Sequence, residues 1–172
     1  MHDTEQSSAK FTIFRATDAP GLMQAGCMSV EPYSPEQRAG FTKVLEAGYM
    51  EGDEIKVLCN LPGFSLTHVW FKEGYPLPLH SHDADCLYYI IAGTLRLGTE
   101  TLGPRDSFFV PADVPYAYKP GPEGVELLEI RHANHFNFVL QAKGDAYFDK
   151  AAQQAAAHRE GWKTATRPTL NG

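Results

Sequence analysis

The sequence is poor in cysteine and has no long apolar run. Its three cysteines, Cys27, Cys59 and Cys86, are an odd number at wide spacing. This excludes a dense disulfide framework and a C-x-x-C zinc knuckle. No segment is long and apolar enough to span a bilayer, and the polar N-terminus lacks the apolar stretch of a signal peptide. We therefore expect a reduced, cytoplasmic protein with no membrane partner.

Positive charge is also scarce, with 15 Lys and Arg against 21 Asp and Glu, which gives a net charge of −6. Binding of nucleic-acid phosphates needs a basic face, so we expect no nucleic-acid partner. The sequence contains no G-x-S-x-G, G-x-G-x-x-G or P-loop motif, which leaves hydrolase-elbow, dinucleotide and nucleoside-triphosphate chemistry without support. A chain of 172 residues predicts one domain with one core.

Short strands separated by Gly, Pro or Asp fill the middle of the chain. Their β-branched and aromatic residues and their spacing are typical of an all-β sandwich or barrel. The predicted strands are 65–72, 79–82, 86–91, 94–98, 107–110, 116–119 and 125–132.

The two flanks differ from this middle part. Before residue 63, frequent Gly and Pro predict short strands such as 41–47 and 55–60, with a short helix from Ser34. Near the C-terminus, residues 145–159 are rich in Ala, Gln and Lys, which predicts a helix that lies on the surface or covers a sheet edge.

Two histidines two positions apart are the first sign of chemistry. On a strand, His80 and His82 project from the same face. With further groups from neighbouring strands, two such imidazoles can hold a metal ion.

The spacing around this pair resembles a known motif. The segment 74–93 has the spacing G-x5-H-x-H-x3-C-x6-G, with Gly74, His80, His82, Cys86 and Gly93 at its fixed positions. This spacing resembles the first conserved motif of the cupin superfamily, G-x5-H-x-H-x3–4-E-x6-G. The segment 105–120 resembles the second motif, G-x5-P-x-G-x2-H-x3-N, in degraded form, with Pro111 at its proline position.

The resemblance implies a single cupin (jelly-roll) β-barrel. We expect residues 63–140 to form the barrel core, residues 1–62 an N-terminal extension with short strands, and residues 141–172 a C-terminal helix and tail. It also implies a homodimer, a small-molecule substrate and a divalent metal, for which iron, zinc and manganese are the candidates.

In the family, three His and one Glu hold the metal. Here the Glu position falls on Cys86 and the third His position on Tyr116, while glycine positions of the second motif fall on Arg105 and Asp113. The candidate metal ligands are therefore His80, His82, Cys86 and Tyr116. A Cys86 sulfur reaches less far than a Glu oxygen, and phenolate is a rare ligand because its ordinary pKa is near 10.

Three arrangements follow for the site. A metal is held by the two histidines and one or two substitutes; or by the histidines and water, with Tyr116 as an acid/base group; or the metal site has decayed and the cavity binds an organic ligand. Asp83 and Asp85, in the adjacent turn, are read as turn formers.

Dioxygenase-like oxidation of a small organic substrate is the function that the resemblance favours. The alternatives are an isomerase or lyase with Tyr116 as acid/base, and a metal-free metabolite-binding cupin. Tyr116 and Tyr88 are the candidate catalytic residues. In the strand 125–132, one face brings Glu129 and Arg131 to the cavity, where Arg131 can bind a carboxylate; the other face brings His132.

Overall fold

The computed structural model describes residues 10–170. Most of the predicted polar N-terminal tail therefore lies outside the described residues. Three α-helices, three short 3-10 helices and nine strands occur in residues 10–170. The α-helices are α1 (Leu22–Ala25), α2 (Pro35–Glu46) and α3 (Asp145–Trp162). The strands are β1 (Met28–Val30), β2 (Asp53–Leu61), β3 (Phe64–Phe71), β4 (His80–Ser81), β5 (Cys86–Leu97), β6 (Glu100–Leu102), β7 (Ser107–Val110), β8 (Lys119–Arg131) and β9 (Phe136–Leu140).

The strands form two sheets that face each other across the interior. One sheet has the order β2-β3-β8-β5-β6, with β7 also paired to β5. The other has the order β1-β9-β4. The structure is thus mostly β-sheet with few helices, which is consistent with a jelly roll. Strand β2, from the part of the chain assigned to the N-terminal extension, pairs with β3 in the larger sheet.

Four of the predicted strands are wrong in type or extent. Residues 41–47 belong mainly to helix α2, because Ser34 and Gln37 form a capping box that starts the helix. Residues 86–91 and 94–98 form one strand, β5, whose register shifts at two points. Tyr116 makes only an isolated bridge with His80, and β8 begins at Lys119.

Helices α2 and α3 pack against each other at one glycine. A Cβ atom built on Gly40 lies 2.2 Å from Cδ2 of Phe148, which is fully buried. The start of α2 is also tied to the sheet, since the buried Gln37 side chain donates to the carbonyls of Leu140 and Ala142 at 2.8 and 3.0 Å. This packing fixes α2, and with it Phe41, over the interior. No helix in residues 10–170 has the length and hydropathy that crossing a membrane requires.

Candidate functional site

A pocket of about 610 Å³ lies between the two sheets. Its volume falls in the range of small-molecule sites, roughly 300–1,000 Å³. Aromatic and aliphatic side chains form most of its wall. The polar residues that line it are Gln24, Tyr33, Tyr49, Asp53, Tyr75, His80, His82, Tyr116, Tyr118, Glu129 and Arg131. An apolar pocket with a few converging polar groups is typical of a site for a small organic molecule.

The two histidines are held in one orientation by backbone carbonyls. Nδ1 of His80 lies 2.7 Å from the oxygen of Pro78, and Nδ1 of His82 makes a short bond to the oxygen of Asn137. A carbonyl only accepts hydrogen bonds, so each Nδ1 carries the proton and each Nε2 is left with a lone pair. The two ring centroids are 4.9 Å apart.

Both imidazoles are neutral at ordinary pH. Burial, and then the neighbouring His82, lower the pKa of His80 to about 3. The pKa of His82 is also lowered, by burial and then by Arg131. Two neutral imidazoles with fixed Nε2 lone pairs can accept a proton or bind a metal ion.

Tyr116 joins these histidines to a second tyrosine. Its backbone forms a bridge with His80, and its hydroxyl donates to Nε2 of His80 at 3.0 Å. The hydroxyl of Tyr88 bonds to that of Tyr116, while the Tyr88 ring stacks on Phe108. Since Nε2 of His80 accepts, Tyr88 donates to the Tyr116 oxygen. Burial raises the pKa of both tyrosines well above the ordinary value, so both are neutral phenols.

The predicted metal ligands fit a metal ion only in part. The imidazoles of His80 and His82 are oriented as metal ligands usually are, with the other ring nitrogen bonded to a carbonyl. Within residues 10–170, however, no three side chains of the types His, Cys, Asp and Glu converge closely enough to hold a metal. Cys86 therefore does not join the histidine pair, and burial raises the pKa of its thiol to about 12. Tyr116 contacts His80, but as a neutral phenol.

The alternation that was left open on β8 is settled by burial. Val125, Leu127 and Arg131 are buried, and Glu129 and Arg131 line the pocket. His132 is exposed and cannot serve as a third imidazole in the pocket. On β5, the predicted inward side chains Cys86 and Tyr88 are buried.

The two aspartates after the histidine pair stabilise loops. Asp83 Oδ1 accepts from the backbone N–H of Asn137 at 2.7 Å, and Asp85 Oδ1 accepts from that of Ala112 at 2.8 Å. Both bonds reach distant segments of the chain, so the interpretation of these residues as turn formers stays a prediction.

A charged pair lies beside the tyrosines. Nη1 of Arg131 donates to Oε2 of Glu129 at 2.6 Å, and the guanidinium lies 4.1 Å from the ring centre of Phe136. The Arg131 side chain is 1% exposed and the Glu129 side chain 14%. A charge this buried is costly unless it is paired, and Glu129 supplies the pairing.

Part of the pocket comes from the N-terminal segment, which no sequence motif predicted. Met28, Tyr33, Phe41 and Tyr49 all line it. Four aromatic rings form a continuous row. The ring centres are 5.8 Å apart for Tyr33 and Phe41, 5.3 Å for Phe41 and Tyr49, and 4.7 Å for Tyr49 and Tyr75. Clustering of aromatic residues before residue 63 was the only available signal, and it does not indicate which face they cover.

The backbone keeps the turns of the two motifs where glycine is replaced. Gly74 and Gly93 have φ of 70° and 72°. Arg105 and Asp113, which the sequence alignment to the motif puts at glycine positions, have φ of 78° and 62°. They are the only residues other than glycine with positive φ in residues 10–170. Positive φ is rare outside glycine, so these two residues adopt a turn conformation that glycine usually favours.

Comparison with known proteins finds likeness in solved structures. No family model and no curated protein matches the sequence. An RmlC-like cupin from Shewanella frigidimarina has 24% identity and a TM-score of 0.43, over 47% of this chain and 76% of that one. KdgF from Halomonas sp. has 20% identity and a TM-score of 0.42, over 46% and 79%.

An oxalate decarboxylase of Bacillus subtilis has 18% identity and a TM-score of 0.44. The match covers 48% of this chain and 26% of that one, so this chain matches about a quarter of that protein's length. Each of these solved structures is similar to about half of this chain.

Proposed function

We propose that the pocket is the active site of an enzyme that moves a proton on a small carbonyl compound, as isomerases and lyases do. The observation that carries the proposal is the hydroxyl of Tyr116, which lines the pocket and lies between Nε2 of His80 and the hydroxyl of Tyr88. A hydroxyl held between an acceptor and a donor can give up or take a proton without moving its ring.

His82 is the candidate base. Its Nε2 carries a lone pair and makes no hydrogen bond within residues 10–170, and the ring lines the pocket. It takes a proton from the carbon next to the substrate carbonyl. Tyr116 turns its O–H from His80 to the carbonyl oxygen and stabilises the negative charge that develops there. The proton on His82 then returns to the same carbon or to a neighbouring one, which closes the balance without a co-reactant.

Tyr88 and His80 position Tyr116 in this scheme. Tyr88 does not line the pocket, and its hydroxyl donates to the Tyr116 oxygen. His80 holds the Tyr116 proton until substrate arrives. The very low pKa of His80 keeps it neutral, so it accepts this hydrogen bond across the pH range of a normal assay.

Hydrogen exchange tests the proposal directly. The full chain is incubated in D2O with a panel of small aldehydes, ketones and oxo acids, and deuterium next to the carbonyl is followed by NMR. We expect at least one compound to exchange faster than in buffer, and Tyr116→Phe to slow that exchange by about 10²- to 10⁴-fold. Exchange at the buffer rate across the panel, or undiminished exchange in Tyr116→Phe, contradicts the proposal.

A second candidate is a metal-dependent, dioxygenase-like oxidoreductase. It is supported by the two carbonyl bonds at Nδ1, which orient both imidazoles as metal ligands usually are. Nε2 of His82 is open to iron, zinc or manganese, and Nε2 of His80 becomes so when the Tyr116 hydroxyl turns away from it. A bound metal would supply a Lewis acid and, with iron, a place for O2. Metal content of the tag-free protein separates the candidates: near-stoichiometric metal that is lost in His82→Ala supports this one, and a metal-free protein that catalyses exchange supports the first.

The remaining expectations from the sequence stay predictions. They are the metal-free metabolite-binding protein, the homodimer and the cytoplasmic location. A protein that binds small molecules in the pocket but catalyses neither exchange nor oxidation would favour the first of these.

A further inference from the structure

Buried polar atoms without a partner are concentrated on one face of the larger sheet. Within residues 10–170 they are Ser65 Oγ, Thr67 Oγ1, Trp70 Nε1 and Arg131 Nε. Across β3 and β8, Ser65 pairs with Arg131 and Thr67 pairs with Glu129. Residues directly opposite in an antiparallel pair project on the same side, so three of the four atoms share the inner face. Buried polar atoms normally have partners. Of these three residues only Arg131 lines the pocket, so its guanidinium is the one that a ligand in the pocket can complete.

Arg131 is the member of this cluster that lines the pocket. Of its five N–H donors, one is used, by the bond from Nη1 to Glu129. Within residues 10–170 the guanidinium makes no other hydrogen bond, and Nε is both buried and unpartnered. Its central carbon lies 4.1 Å from the centre of the Phe136 ring, and this contact together with the bond to Glu129 restricts the position of the guanidinium. A fixed guanidinium edge matches the two oxygens of a carboxylate.

The chemistry of these groups sets the charge of the ligand. A guanidinium has donors only. The group that completes Arg131 must therefore accept hydrogen bonds, as an oxyanion does. Glu129 already balances one positive charge, and a phosphate dianion would be repelled by it more strongly than a carboxylate. The rest of the pocket is mainly apolar, which suits an organic acid with a hydrophobic body.

We propose that Arg131 binds the carboxylate of an organic acid in this pocket, with the hydroxyls of Ser65 and Thr67 beside it in the sheet. The proposal rests on the proposed function, because it names the substrate class of the same site. The acid group then lies on the larger sheet, and its reacting carbon is directed towards His82 and Tyr116 on the other side.

Benzoate and benzamide test the carboxylate site. They have nearly the same size and shape, but only benzoate carries a negative charge and two acceptor oxygens. Binding of each to the full-length protein is measured by calorimetric titration. We expect benzoate to bind at least tenfold more tightly than benzamide. Equal binding of the two, or no binding of either, overturns the proposal.

Variants assign this preference to Arg131. In Arg131→Met/Glu129→Gln both charges are removed together, and we expect the benzoate preference to fall to about one while benzamide changes less than threefold. Arg38→Met, which removes an exposed arginine on α2, keeps the full preference. A preference that survives in the double variant overturns the proposal. If circular dichroism shows that this variant does not fold, Arg131→Lys takes its place, and an unchanged preference there is the contradicting result.

Tyr116→Phe separates this proposal from the proposed function. It keeps the benzoate preference, because Tyr116 does not contact the carboxylate group, while it loses exchange. Benzoate preference together with undiminished exchange in Tyr116→Phe overturns only the catalytic scheme. Exchange that depends on Tyr116, without any preference for benzoate, overturns only the carboxylate site.

Discussion

The two sheets that line the pocket supply different kinds of polar group. The smaller sheet and the loop after β4 supply His80 and His82, which are neutral and whose Nδ1 protons are already bonded. The larger sheet supplies the carboxyl groups of Asp53 and Glu129 and the guanidinium of Arg131, whose Nε has no partner in residues 10–170. The smaller sheet therefore offers imidazole lone pairs in a fixed orientation. The larger sheet carries the charged groups, among them Arg131, whose unused N–H donors a ligand can bind.

Removing the charge of Arg131 is the largest expected break in this comparison. Arg131→Met leaves Glu129 as a nearly buried carboxylate without its partner, so we expect the free energy of unfolding in urea to fall by about 3–5 kcal/mol. Adding Glu129→Gln should recover part of the loss. The exposed pair of Lys43 and Asp149 is the control, since Lys43→Met should leave the free energy of unfolding almost unchanged. Equal losses of unfolding free energy in Arg131→Met and Lys43→Met would contradict the idea that the larger sheet carries a buried charge pair on which the fold depends.

Asp53, also on the larger sheet, makes the stability of the fold depend on pH. Burial is the main cause that raises its pKa to about 6, from an ordinary value of 3.8, against the opposing hydrogen bond from Tyr75. A carboxyl whose folded pKa is raised stabilises the fold below the unfolded pKa, and this stability is lost as the pH rises through about 6.

Asp53→Asn removes this ionisation and keeps an acceptor for Tyr75. We expect the variant to be more stable than the wild type by up to about 3 kcal/mol at pH 8, with the difference approaching zero near pH 3. Urea unfolding across this range measures it, with exposed Asp149→Asn as control. A difference that is independent of pH would show that Asp53 is not ionised at the cost expected from its burial.

The smallest effect is expected at Thr67. Its hydroxyl is fully buried without a partner, so Thr67→Val should change the free energy of unfolding by less than about 1 kcal/mol, in either direction. Urea unfolding of the ligand-free protein measures this change. A loss above about 2 kcal/mol would mean that the hydroxyl makes a hydrogen bond within the folded protein. The contrast between the smaller and the larger sheet would then weaken.

Local alternation made part of this site predictable. The side-chain period of a strand places His80 beside His82, and Cys86 on the same face as Tyr88, without knowledge of the fold. The same rule left two choices on β8, because Val125–Arg131 and Glu126–His132 alternate equally well. Burial in the folded chain decides for Arg131, and no local signal did so.

The errors have a different origin. Phe41 and Val44 favour a strand by composition, but the capping box at Ser34 and the packing against α3 make this segment a helix. Likewise, the contact between Tyr116 and His80 depends on how a loop returns to β4. The part of the pocket that is contributed by Met28, Tyr33 and Tyr49 depends on contacts between distant segments, which periodicity does not report.

The close approach of Gly40 and Phe148 makes the size of the pocket adjustable from a distance. Any side chain at position 40 would act as a wedge between α2 and α3, because its first carbon already meets the ring. Phe41, the next residue, lines the pocket. Substitutions at residue 40, which does not itself line the pocket, can therefore shift the aromatic wall and alter which substrate shapes fit, while every polar group in the pocket remains unchanged.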